Sequence, residues 1–209
     1  MRAAAVLFLS LPAGQVLAQE APVTQLVIEQ GGHEVGREEF TLNQGRGRGS
    51  TGSTLRATAR YPAKNPALTL AASLERTPEF ALAKFQLDVE GPNGTTVILA
   101  AGSGARLIIR TVAKGSEAGR ELPGGPDVVL LDDAVYSLYV AVADLATPGG
   151  KSLTGVFPRT ARRVAFVARK ESGGRVSLTG DIRGSLETNS SGLVSLTLDS
   201  GVKVSRAQD

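Results

Sequence analysis

The sequence predicts a mainly β protein: a strongly curved antiparallel meander of about 10–12 strands, half-barrel or barrel-like, with one helix near 132–146 packed on it. Three observations predict this class. Most segments alternate apolar and polar residues, as half-buried strands do. Short Gly-, Asn- and Pro-containing turns separate them, and short connections join antiparallel neighbours, since a parallel crossover needs about a dozen residues. A single stretch changes period, with Val135, Leu138, Tyr139, Val142 and Leu145 spaced by three and four.

Before the first strand lies a different signal. Arg2 is the only charge before Glu20, and Ala3–Leu9 is apolar. Leu11-Pro12-Ala13-Gly14 breaks the run and Val16-Leu17-Ala18 offers small residues for cleavage. This is the pattern of a secretory signal peptide. The run is far shorter than the roughly 20 residues a membrane span needs. Residues 1–18 are therefore expected to be a leader cleaved near Ala18. Residues 19–209 form a single β-rich domain, periplasmic or extracellular in a bacterium.

The elements follow in order. Leu26-Val27-Ile28 opens the first strand, Gly31-Gly32-His33 is a turn, and Val35 to Leu42 returns. Gly45 to Gly52 reads as a flexible loop. Leu55 to Tyr61 is a strand stopped by Pro62, and Leu68, Leu70 and Leu74 mark the next. Phe80 and Leu82 share one phase while Phe85, Leu87 and Val89 share the other, so a β-bulge is expected near Lys84. Asn93-Gly94 is a strong hairpin signal, and Val97-Ile98-Leu99 returns from it. Leu107-Ile108-Ile109 follows the turn at Gly102-Ser103-Gly104. Residues 113–126 are polar and rich in Gly and Pro, and read as a long loop.

The helical stripe comes next. Asp132 or Asp133 can cap its N-terminus, where free N–H groups and the helix dipole favour a carboxylate. Pro148-Gly149-Gly150 ends it. Strands resume at Leu153–Phe157 and Val164–Val167. Val176–Leu186 reads as one strand bent at Gly180 or Gly184, and Leu193–Leu198 and Val202–Val204 close the chain.

Composition excludes several functions. The 23 Lys and Arg nearly balance the 20 Asp and Glu and are scattered, so no basic face for nucleic acid is expected. There are no cysteines and one histidine. That leaves no Cys/His zinc set, no expected metal or cofactor, and only His33 for a Ser-His-Asp triad. No Gly-x-Ser-x-Gly elbow occurs. The Gly-rich run at 45–49 lacks the following helix of a phosphate loop. Glu38 and Glu39 are strand neighbours that point to opposite faces. The Asn93 and Asn189 acceptor motifs read as turns. The mature chain has no apolar stretch long enough to span a membrane, and no catalytic constellation is visible.

Several segments resemble those of uncharacterised bacterial envelope proteins. They are Gly32 to Phe40, Val129-Leu130-Leu131-Asp132-Asp133-Ala134-Val135-Tyr136, Leu153-Thr154-Gly155-Val156-Phe157-Pro158, and Gly180-Asp181-Ile182 with Ser191 to Gly201-Val202. In those proteins an aspartate-led helix inserts into an antiparallel meander. The architecture is similar to the half-barrels of the lipoprotein-localisation factors LolA and LolB, which bind acyl chains on the concave face. The resemblance implies an exported, non-enzymatic envelope protein binding a hydrophobic or amphipathic ligand, such as a lipid, on that face. The alternative is a structural or protein-interaction module of the envelope. Leu107, Ile109, Val135, Leu138, Tyr139 and Phe157 are the candidate ligand-facing residues, with ordinary core packing as the competing assignment.

Overall fold

The computed structural model describes residues 21–45 and 52–207. The leader at 1–18 and most of the Gly-rich loop lie outside the described residues. The first eight strands are β1 (Thr24–Gln30), β2 (His33–Gln44), β3 (Ser53–Tyr61), β4 (Leu68–Arg76), β5 (Leu82–Gly91), β6 (Gly94–Ser103), β7 (Arg106–Ala113) and β8 (Ser116–Pro123). After β9 (Val128–Leu130), a 3-10 turn at Tyr136–Tyr139 runs into α1 (Val140–Leu145). Then come β10 (Lys151–Phe157), β11 (Arg162–Lys170), β12 (Arg175–Gly180), β13 (Gly184–Asn189), β14 (Gly192–Leu198) and β15 (Val202–Arg206).

All 15 strands form one curved, unclosed sheet in the order β8-β7-β6-β5-β4-β3-β2-β1-β15-β14-β13-β12-β11-β10-β9. The terminal strands β1 and β15 pair antiparallel in its centre. Its two free edges, β8 and β9, are consecutive in sequence and joined only by residues 124–127. The five steps from Pro123 to Val128 span at most about 18 Å, so the edges stay close at that end. Neighbours are antiparallel except β9 and β10, which run parallel.

The concave face carries the core. Cross-strand rows run Leu42-Leu55-Leu74-Phe85-Ala100-Ile109 and Phe40-Ala57-Ala72-Leu87-Ile98, all buried. Alanines at 57, 72 and 100 interrupt the large side chains of these rows, which suits the crowded inside of a bent sheet. The 3-10 turn and α1 form one continuous inner helix lying against this face. Its apolar residues Leu138 and Val142, with Val135 just before it, are fully buried.

Some expectations are corrected in detail. The strand count exceeds 10–12. Residues 113–126 are not a long loop: β7 extends to Ala113 and β8 occupies 116–123. The β8 strand is exposed on both faces apart from Leu122, so burial imposes no alternation on its sequence. Residues 176–186 are not one bent strand but the hairpin β12–β13, turned at Asp181-Ile182-Arg183. The helix begins at Tyr136, four residues after Asp132. The bulge falls where the phase slip placed it: Glu75 pairs with Lys84 but Arg76 pairs with Leu82, leaving Ala83 extra. Phe80 belongs to the preceding turn and is exposed.

Candidate functional site

The inner helix enters the curved sheet through a cluster of polar groups contributed by β2, β3, the β10–β11 turn and the 131–135 linker. Glu38 on β2 lies on the core-facing phase, between Gly36 and Phe40, and is 0% exposed. Its two oxygens accept the N–H groups of Tyr136, at 2.7 Å, and Ser137, at 3.0 Å. These are the first free amides of the helix, so a distant strand supplies the cap. Neither aspartate caps the helix, which corrects the sequence expectation.

Asp132 is also sealed off, at 1% exposed. Its Oδ1 accepts the Ala134 N–H at 2.8 Å, which folds the linker into a tight turn. Arg159 grips the same carboxylate with Nε and Nη2, both at 2.9 Å. Two parallel bonds to a carboxylate fix orientation as well as charge. The pair keeps the Arg159 guanidinium above its usual range, the hydrogen bond to Asp132 being the main cause. Asp133 instead points outward, where it pairs with Arg162 at 2.5 Å. The Arg162 guanidinium sits 3.8 Å from the centre of the Phe157 ring. Tyr61 donates to the Ala134 carbonyl at 2.8 Å, and Tyr136 to the Asp133 carbonyl at 2.7 Å.

Burial pushes the Glu38 carboxyl up to about 7. The neighbouring Ser137 hydroxyl, which lacks a properly directed partner in this conformation, and the two backbone amides pull the other way. The Asp132 charge adds a smaller upward push. Tyr61, Tyr136 and Tyr139 are all raised too, with burial as the first cause. They are the chain's only tyrosines, and it has no tryptophan.

Two clefts flank the inner helix. At the end where it enters, Tyr139, Phe157, Ile182 and Leu198 underlie a cleft of about 240 Å³ rimmed by Asp133, Arg162, Arg183 and Asp199. At the opposite end, between the ends of β5–β7 and the 124–127 linker that leads into β9, a cleft of about 270 Å³ is walled by Ala81, Leu82, Leu107, Pro126 and Val128. Glycines 102, 104, 124 and 125 border it with bare backbone. Gly124 packs so closely that a Cβ there would meet the Arg106 carbonyl carbon at 2.5 Å.

The six candidate ligand-facing residues divide accordingly. Leu107 lines the apolar cleft, and Tyr139 and Phe157 line the polar one. All six are buried, and Ile109, Val135 and Leu138 line neither cleft. His33 is an exposed residue at the start of β2 and Glu39 points outward, away from Glu38. Among the described residues no group of three or more His, Asp or Glu is placed to hold a metal ion. No helix among them is long and apolar enough to cross a membrane. Sequence reasoning missed Glu38 and Arg159. The signal for Glu38 was its phase: it occupies the inward register of a strand whose other inward residues are apolar. Arg159 lies in a turn and gave no signal.

No protein-family model and no curated protein matches the chain. One solved structure shares its fold. It is the crystal structure of a DUF1089 family protein from Pseudomonas aeruginosa, 11% identical in sequence, with a TM-score of 0.55. The match covers 91% of this chain and 96% of that one. At that identity the likeness concerns the fold alone: the curved, unclosed sheet with its single helix.

Proposed function

We propose that this protein is an exported, non-enzymatic envelope protein that holds a hydrophobic or amphipathic ligand, such as a lipid chain, in the apolar cleft between the ends of β5–β7 and the 124–127 linker. The inner helix covers much of the concave face, so the ligand surface is the cleft beyond the helix's end, where Ala81, Leu82 and Val128 are only partly buried. The observation that carries the reading is the cleft's lining: aliphatic side chains and bare glycine backbone where the ends of β5–β7 meet the linker into β9. Concave apolar sites with a few polar groups at the rim are the usual form of small-molecule sites. Thr77 and Arg106 supply those polar groups here. The leader-like N-terminus supports export, and the concealment of Glu38 argues against its direct use on a substrate.

The test is uptake of a fluorescent fatty acid by the purified mature protein, with mass spectrometry of lipids that co-purify. Ala81→Trp fills the cleft from its partly buried wall. It is expected to lower probe affinity at least tenfold while leaving the melting temperature within a few degrees. Unchanged uptake in that variant, or none in the wild type, refutes the reading. N-terminal sequencing of the exported protein should begin at Gln19.

A second reading, a protein-interaction module, draws on the free β8 edge and the exposed Ile108 and Val112 beside it. A defined partner recovered from membranes by the wild type, and lost on Ile108→Glu, would favour it.

A further inference from the structure

We propose that the inner helix is a displaceable plug, and that Glu38 is a latch making its docking depend on pH, tight in acid and loosened above neutrality. The helix is part of segment 131–150, tethered at one end to β9 and at the other to β10. It lies inside a sheet whose β8 and β9 edges are unpaired, so no closed barrel encircles it. Few polar ties hold it. At its start they are the two amide bonds to Glu38 and the Tyr61 bond to Ala134, with the Arg159–Asp132 and Arg162–Asp133 pairs and the Leu131 amide bond to Val156 fixing the linker before it. At its end Asp144 pairs with the buried Arg76 of β4 at 2.5 Å, and the Lys170 N–H donates to the Thr147 carbonyl at 2.9 Å. Between these ends the helix is held by apolar packing, which has no directional preference.

Glu38 is the weak member of this set when ionised. Its cross-strand neighbours on β1 and β3 are Leu26 and Ala59, both apolar. From the linker and helix it faces Asp132, Tyr136 and Ser137, with Asp133 nearby. From β3 it faces Tyr61, and from the β10–β11 turn Arg159, whose guanidinium is committed to Asp132. The flanking β14 side chains Leu193 and Leu196 are apolar and buried. Among the described residues no uncommitted cation answers the carboxylate, which is sealed from solvent, whereas an undocked helix would return it to solvent. A buried group that prefers its neutral form makes opening easier as pH rises. With the carboxyl near 7 when docked and 4.5 when free, the open fraction should rise about thirtyfold between pH 5.5 and 8.5. The inference does not depend on the ligand reading, and absence of probe uptake leaves it standing.

Hydrogen exchange of the wild-type chain tests it, with rates corrected for the pH dependence of the chemical step. Amides of 138–145 should be less protected than those of Leu26–Ile28 in the central strand β1. Their protection should fall about thirtyfold from pH 5.5 to 8.5. In Glu38→Gln, which keeps the shape and loses the charge, the fall should vanish. Helix protection equal to that of β1 would mean that only global unfolding exposes it, and would overturn the proposal. So would a fall that persists in Glu38→Gln. Should that variant fail to fold, carbon-13 NMR of the wild-type Glu38 carboxyl still decides: a midpoint below pH 5 refutes the latch.

Discussion

Two neighbouring aspartates have opposite environments, and the difference sets what each contributes. Asp132 is buried, gripped by Arg159 and bonded to the Ala134 amide. Removing its charge strands a half-buried guanidinium and leaves a buried amide under-satisfied. Asp132→Ala should therefore cost about 2–4 kcal/mol in urea unfolding. Asp133 is an exposed rim charge, and its pair with Arg162 is screened by solvent. Asp133→Ala should cost well under about 1 kcal/mol. Equal losses for the two would contradict this assignment. The same scale carries a pH effect. A carboxyl whose folded value is raised contributes stability that is present below its unfolded value and lost as pH rises through the folded one. For Glu38 that window runs from 4.5 to about 7 and is worth on the order of 3 kcal/mol. Thermal unfolding at pH 5, 7 and 9 should show Glu38→Gln overtaking the wild type as the buffer becomes alkaline.

Among the elements, the corners are the most demanding. The β12–β13 hairpin turns at Gly180 and Gly184, both at positive φ. At Gly184 φ is +143°, and a Cβ would lie 2.0 Å from the Thr197 carbonyl oxygen of β14. No side-chain rearrangement relieves a clash with backbone, so Gly184→Ala should cost about 3 kcal/mol or more in chemical denaturation. Near-wild-type stability would contradict this close approach of β13 to β14. Where an element's periodicity reflected burial, it was legible in the sequence. The slip between Leu82 and Phe85 located the Ala83 bulge because both sides of it have a buried phase. The β8 strand was illegible because neither face is covered and its residues were free to be polar. The β12–β13 pair read as a single strand because its three-residue corner contains the apolar Ile182, which is itself buried.

On the scale of the whole molecule, an unclosed sheet must keep its edges from recruiting other chains. The β8 edge carries Glu117, Arg120 and Glu121, with Glu117 paired to Arg110 and Glu121 to Arg106 across the strand. Charges on an exposed edge oppose edge-to-edge association. Glu117 and Glu121 lie directly opposite Val112 and Ile108. Valines at both positions would join those exposed side chains in an apolar patch on an open edge. The double variant Glu117→Val/Glu121→Val should shift to dimers or larger species that elute earlier than the wild type on size-exclusion chromatography. Unchanged elution would mean that edge geometry, rather than charge, keeps the chains apart.

Local pattern determined that this chain forms successive strands, most of their turns and a single amphipathic helix, because alternation and three–four spacing are written residue by residue. Tertiary structure alone decided that β1 pairs with β15, that the free edges are β8 and β9, and that Glu38 rather than an adjacent aspartate caps the helix. The first and last of these outcomes join residues about 100 or more positions apart, as Glu38 and Ser137 are. Such contacts form only after the sheet curves and brings distant backbone groups within hydrogen-bonding distance.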